Sequence, residues 1–210
     1  MIKAIVFDVG GVFQLGRFSL FPFGRHRSVS VHKFMARRFH ISLDQWFDSI
    51  DTAYARAIEG KISKREALSI MSKDLETSPV YLENLFVKAY RKYYKRNNLL
   101  FDTAFNLRKK GYKIAILSDQ WPVSSEALIL PEDSRKFNTS IVSCDVGMRK
   151  PNPSIYKLVL RKLKIRPSNS IFIDNQKWNV TSAKKLGMKT ILFKNNKQTI
   201  KDLKKLGIKL

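Results

Sequence analysis

Four short stretches place residues suited to handling an anion at the ends of apolar runs. Phe7-Asp8-Val9-Gly10-Gly11-Val12 sends a carboxylate out of an apolar run beside two glycines, whose bare backbone can approach a ligand or metal closely. Asp-x-Gly-Gly is equally an ordinary turn. Leu117-Ser118-Asp119 offers a hydroxyl and backbone N–H groups to an anion, although Ser-Asp after a strand is as commonly a helix cap. Gly147-Met148-Arg149-Lys150-Pro151-Asn152-Pro153 is more particular. Two prolines fix the backbone immediately after Lys150, which suits a lysine held in place as a point charge for phosphate. Phe172-Ile173-Asp174-Asn175 sends out a second carboxylate. If Asp8 and Asp174 share one sheet edge, they could share a hard cation such as Mg²⁺, which favours oxygen ligands. The metal and Lys150 would then reduce the repulsion between an attacking carboxylate and a phosphate dianion.

The elements that must position these groups are legible as apolar, β-branched runs. Ala4-Ile5-Val6-Phe7, Lys113-Ile114-Ala115-Ile116-Leu117, Ser170-Ile171-Phe172-Ile173 and Thr190-Ile191-Leu192-Phe193 are each followed by a polar turn and a helical pattern, and Thr139-Ser140-Ile141-Val142 is a weaker fifth. Near-continuous hydrophobicity predicts strands of a parallel sheet covered on both faces, in a doubly wound, Rossmann-like α/β core. The stretch between Phe7 and Lys113 reads as wholly helical. Ser42-Leu43-Asp44-Gln45 and Ser63-Lys64-Arg65-Glu66 fit the capping box, and Ser78-Pro79 offers an N-cap followed by proline. Trp46, Ile50, Tyr54 and Ile58 keep helical spacing up to Gly60. Asn97 to Lys110 is a further helix that leads straight into the second strand and so belongs to the core. The expected organisation is a core of residues 1–12 and 97–210 with an inserted helical cap of residues 13–96, projecting from the edge where such sheets bind ligands.

Composition limits the rest. A chain of 210 residues, 44% hydrophobic, can build one domain with a full core or a core plus a small inserted module. No apolar run approaches the roughly 18 residues that cross a bilayer, so no membrane partner is expected. The start lacks the layout of a signal peptide, and the lone Cys144 cannot form an internal disulfide, so a cytoplasmic setting is expected. Cys144 has no nearby His and reads as a packing residue. The formal charge of +23 raises nucleic acid as a partner, but only through bulk charge: no aromatic interleaving or helix-turn-helix pattern accompanies it.

As a set, Asp8-Val9-Gly10-Gly11-Val12, Leu117-Ser118-Asp119, Lys150-Pro151-Asn152-Pro153 and Ile173-Asp174-Asn175 resemble, in order and spacing, the four motifs of the haloacid dehalogenase superfamily. Ser143 to Tyr156 and Asn179 to Met188 are most similar to the subgroup containing α-glucose-1-phosphate phosphatase and the phosphatase domain of soluble epoxide hydrolase. The resemblance implies a Mg²⁺-dependent phosphatase for a small phosphorylated metabolite, possibly a sugar phosphate. It makes Asp8 the nucleophile and a metal ligand, Gly10 a metal ligand through its carbonyl, and Asp174 the second metal carboxylate. Ser118 and Asp119 would bind phosphate, and Lys150 would orient Asp8 and neutralise charge. Three positions depart from the family pattern. Gly10 stands where an acid/base Asp is usual, Asn175 where a second Asp is usual, and Asp119 where Asn is usual. A catalytically weakened relative that binds polyanions or a protein is the alternative. Dehalogenase activity is disfavoured, because those relatives carry an aromatic residue at the Gly10 place. Arg17, Arg25, His26 and Arg27 could meet the remote part of a substrate, or be surface charge. Trp121 could line the pocket, though packing is the simpler reading, and His32 and His40 are assigned no catalysis.

Overall fold

The computed structural model describes residues 1–16 and 29–210. Arg17, Arg25, His26 and Arg27 lie outside the described residues. The chain opens with β1 (Ala4–Phe7), leaves through β2 (Gln14–Gly16), and enters α1 (Val29–Arg38), α2 (Leu43–Ile58), α3 (Lys64–Asp74) and α4 (Pro79–Tyr93). It returns through β3 (Tyr94–Arg96). Ser42 and Ser63 close reciprocal capping boxes with Gln45 and Glu66, and Ser78 caps the helix that begins at Pro79. These starts were legible because each pair satisfies two backbone N–H groups that a helix leaves unpaired.

The stretch between Phe7 and Lys113 is not wholly helical. β2 and β3 pair antiparallel, Gln14 against Arg96 and Gly16 against Tyr94. Strands this short show no alternation, so sequence periodicity does not reveal them. Phe13, just before β2, stacks on Phe101 at 4.2 Å and also lies against Phe7 and Phe137.

The chain continues through α5 (Asn98–Lys109), β4 (Lys113–Ser118), α6 (Pro122–Leu128), α7 (Pro131–Ser134), β5 (Thr139–Val142), α8 (Ser143–Val146) and α9 (Pro153–Leu163). It ends with β6 (Ser170–Asp174), α10 (Lys177–Lys185), β7 (Lys189–Leu192) and α11 (Asn196–Lys205). The five strands expected from apolar runs form one parallel sheet in the order β5-β4-β1-β6-β7. Their continuous apolar character has a direct cause. Ile5, Phe7, Ile116 and Ile173 face one core, while Ala4, Val6, Leu117 and Phe172 face another. Burial on both sides removes any call for a polar face.

β1 is the central strand, with β4 on one side and β6 on the other. The connections diverge there, which opens a crevice beyond the carboxyl ends of the strands. Register decides what meets in it. Phe7 pairs with both Ile116 and Ile173, so Asp8 and Asp174 each lie one step beyond a paired residue on neighbouring strands. Among the described residues no helix is long and apolar enough to cross a membrane.

Asn97, buried at the return from β3, ties the helical segment to the sheet domain. Its backbone N–H donates to Phe13 O at 2.8 Å, and its Nδ2 donates to Val12 O at 2.9 Å and to Asn196 Oδ1 at 2.8 Å. Asn97→Ala strands Val12 O and Asn196 Oδ1, and the expected loss of stability is about 2 kcal/mol, read from the urea midpoint at an unchanged slope.

Candidate active site

The site forms where three strand ends and the loop before α9 converge. Asp8 leaves β1 with its backbone N–H donated to Ile173 O at 2.9 Å, which fixes the start of the turn against β6. The turn needs Gly11, whose φ of 83° would strain any side-chain-bearing residue. Across the crevice, the Asp119 carboxylate accepts the backbone N–H of Lys150 at 3.0 Å, joining the end of β4 to the loop that carries the lysine.

Lys150 is 3% exposed, and its ammonium uses all three of its protons. Nζ donates to Asp8 Oδ1 at 2.8 Å, to Asp174 Oδ2 at 2.7 Å and to Leu117 O at 3.2 Å. Asp174 is fully buried, and it also accepts from Asn179 Nδ2 at 3.0 Å and from the Gln176 backbone at 2.6 Å. Burial pushes the Asp8 carboxyl up to about 7 against the pull of Lys150, with the charge of Asp174 adding to the rise. Burial alone would lower the lysine's pKa, but Asp174 and Asp8 hold it above the usual lysine range. Burial also raises Asp119.

A cavity of about 250 Å³ opens over Asp8, Gly10, Asp119 and Lys150. Its far wall comes from the helical segment, through His32, Tyr54, Tyr90 and Tyr94. Asp174 and Ser118 do not line it. Ser118, expected to touch phosphate, is fully buried, and its Oγ accepts from Gln120 Nε2 at 3.1 Å.

The oxygen atoms around Asp8 suit a hard cation. Two carboxylates meet beside the Gly10 turn, and Asn175 Oδ1 and Asn179 Oδ1 are buried without a hydrogen-bond partner. Among the described residues no three His, Cys, Asp or Glu side chains cluster, so the remaining donors would be backbone carbonyl, amide and water oxygens.

The model of the haloacid dehalogenase-like hydrolases matches residues 2–187. The chain belongs to this family. Over 176 residues it is 32% identical to bifunctional epoxide hydrolase 2 of Sus scrofa, covering 76% of this chain and 32% of that protein. It is also 31% identical to glyceraldehyde 3-phosphate phosphatase of Pyrococcus furiosus, covering 48% of this chain and 43% of that one. The chain thus spans about a third of the length of the epoxide hydrolases it matches. A family enzyme from Bacteroides thetaiotaomicron, crystallised with magnesium and inorganic phosphate, shares the fold. Its TM-score is 0.73 at 20% identity, covering 95% of this chain and 99% of that one.

In this chain Gly10 has a neighbour that the sequence could not show. A Cβ at Gly10 would lie 3.7 Å from Gln120 Nε2, so the amide of Gln120 occupies the space beside it. Gln120 is held by its backbone: its N–H donates to Ser143 Oγ at 3.0 Å, and its carbonyl accepts from the same hydroxyl at 3.2 Å. Nothing in Ser118-Asp119-Gln120-Trp121 signals this placement. Trp121 is structural as expected, buried with its Nε1 donated to Tyr90 Oη at 2.8 Å. Burial pushes the Cys144 thiol up to about 12, which suits packing and not nucleophilic attack.

His32 was assigned no catalysis, yet it lines the cavity. It accepts from Trp46 Nε1 at 2.9 Å, and burial lowers its pKa to about 4. Between pH 6.5 and pH 4 the unfolded chain binds a proton that the folded one refuses, so this part of the stability is complete above 6.5 and lost toward 4. Urea titrations should show wild type losing on the order of 3 kcal/mol more than His32→Gln over that interval.

Proposed function

We propose that this chain is a magnesium-dependent phosphomonoesterase that acts on a small phosphorylated metabolite through an aspartyl-phosphate on Asp8. The observation that carries this reading is the Lys150 ammonium bonded to both Asp8 and Asp174 at the floor of the cavity. The phosphatase among its relatives and the magnesium and phosphate in a structural neighbour support it. So does charge. The three carboxylates Asp8, Asp174 and Asp119 outnumber the two cations, Lys150 and Arg149, so once all three are ionised a divalent cation would offset their repulsion of a phosphate dianion.

In this reading the Asp8 carboxylate, the Gly10 carbonyl and Asp174 hold magnesium, with Asn175 Oδ1 a further oxygen within the same turn. Bound magnesium would supply Lewis-acid charge against the phosphoryl oxygens. Lys150 aims Asp8 and favours its anionic form against the opposing effect of burial. An Asp8 oxygen attacks phosphorus, the ester P–O bond breaks, and the leaving group departs with the electron pair. Water then attacks the phosphorus of phospho-Asp8, releasing inorganic phosphate and the carboxylate. Gly10 brings no proton to the leaving group, and the amide of Gln120 offers only a neutral hydrogen bond. Losing a positioned acid/base typically removes about 10²- to 10⁴-fold. Esters with stable leaving groups, including the anomeric phosphate of a sugar, are therefore favoured. The helices of residues 13–96 act as the cap that selects among them, over a core of residues 1–12 and 97–210.

Purified protein is tested with p-nitrophenyl phosphate and a panel of phosphorylated metabolites, with and without magnesium. Turnover should require magnesium, disappear in Asp8→Asn, and fall at least about 100-fold in kcat from p-nitrophenyl phosphate to a simple alkyl phosphate. No turnover of any member, or full activity in Asp8→Asn, overturns the reading.

A further inference from the structure

The cavity in front of Asp8 has two chemically unlike walls. Its carboxylates, Asp8 and Asp119, are both on the sheet side, and both are hydrogen-bonded to Lys150. The helical side offers donors. Because Trp46 Nε1 donates to His32 Nδ1, the neutral imidazole carries its own proton on Nε2, which has no partner among the described residues. Tyr54 and Tyr90 place their hydroxyls 3.2 Å apart, and Tyr90 Oη also accepts from Trp121 Nε1. The two phenols have two protons and one bond between them, so one O–H is left over whichever way that bond points. Burial raises the pKa of both, so the proton stays. Arg149 completes the set. It lines the cavity, forms no ion pair with a described residue, and acts electrostatically on Tyr54 on one wall, on Asp119 on the other, and on Glu59, which does not line the cavity.

Donors and a cation without a carboxylate among them are complementary to an anion. We propose that Arg149, His32 and the Tyr54–Tyr90 pair form a subsite for a second oxyanion, a carboxylate or a further phosphate, carried by the leaving group of the phosphomonoester. The inference rests on the phosphatase reading and narrows its substrate class. The subsite selects phosphomonoesters whose leaving group carries a carboxylate or a further phosphate. The +23 charge of the whole chain draws such multiply anionic solutes toward the protein.

Two matched pairs test this. Phosphoglycerate differs from glycerol phosphate by a carboxylate in place of a hydroxymethyl group, and propanediol bisphosphate differs from its monophosphate by one phosphate. Wild type should favour the more anionic member of at least one pair by about tenfold or more in kcat/KM, and the pair that discriminates identifies the oxyanion. Arg149 is exposed, so its replacement leaves the core intact. Arg149→Met should abolish the preference and Arg149→Lys should retain part of it. Calorimetric binding of the same pairs to Asp8→Asn in magnesium reads the subsite without turnover, and should show the same preference. No discrimination in either measurement, or a preference that survives Arg149→Met, overturns the subsite. Normal Asp8-dependent turnover of p-nitrophenyl phosphate with no discrimination sinks the subsite alone, whereas absence of that turnover sinks the phosphatase reading.

Discussion

An ammonium group removed from water needs compensation worth several kcal/mol, and so does each carboxylate buried beside it. Lys150 Nζ meets that requirement with three acceptors for three protons: Asp8, Asp174 and the Leu117 carbonyl. Each acceptor sits at the end of a different strand, so one side chain fixes the relative positions of β1, β4 and β6 where they open toward the cavity. The lysine's own backbone is held by Asp119, which adds the loop before α9 to the same assembly. Displacing any one of these groups would leave a buried charge without its partner. The geometry around Asp8 is therefore set by electrostatics as much as by the sheet that carries it.

The same constraint explains the division of labour across the cavity. The sheet side concentrates charge, including the guanidinium of Arg149 beside Lys150, while the helical side offers neutral donors and aromatic surface. Where the family usually carries an acid, Gly10 has no side chain and the Gln120 amide lies beside it, 3.7 Å from where a Cβ would be. In the proposed mechanism the chain keeps the groups that would position a carboxylate for attack and lacks the one that would assist departure of the leaving group.

The sheet was legible in the sequence because its three inner strands, β4, β1 and β6, are buried on both faces, and runs such as Ala4-Ile5-Val6-Phe7 have no competing helical reading. The helix starts at Ser42, Ser63 and Ser78 were legible because capping is local. The β2–β3 ribbon was not, since its three-residue strands show their partners only once the chain has folded. Asp8, Lys150 and Asp174 stood out by spacing and are brought together as that spacing suggested. That Ser118 lies behind Gln120 and not on the cavity wall was not legible, because its placement depends on a tertiary contact with the Gln120 amide that no local pattern reveals. That His32 lines the cavity was not legible for a similar reason. Its relation to the site runs through tertiary packing of α1 against Trp46 and Tyr54, not through spacing.

A carboxylate nucleophile leaves a trace that metal-bound water attacking phosphorus directly does not. The decisive measurement is rapid acid quenching of wild type during turnover of p-nitrophenyl phosphate, followed by peptide mass spectrometry. Attack by Asp8 predicts a phosphorylated peptide containing Asp8 that accumulates within the first turnover, decays with the steady state, and is absent in Asp8→Asn. Sustained turnover with Asp8 never phosphorylated, or with phosphate found on another residue, would contradict it.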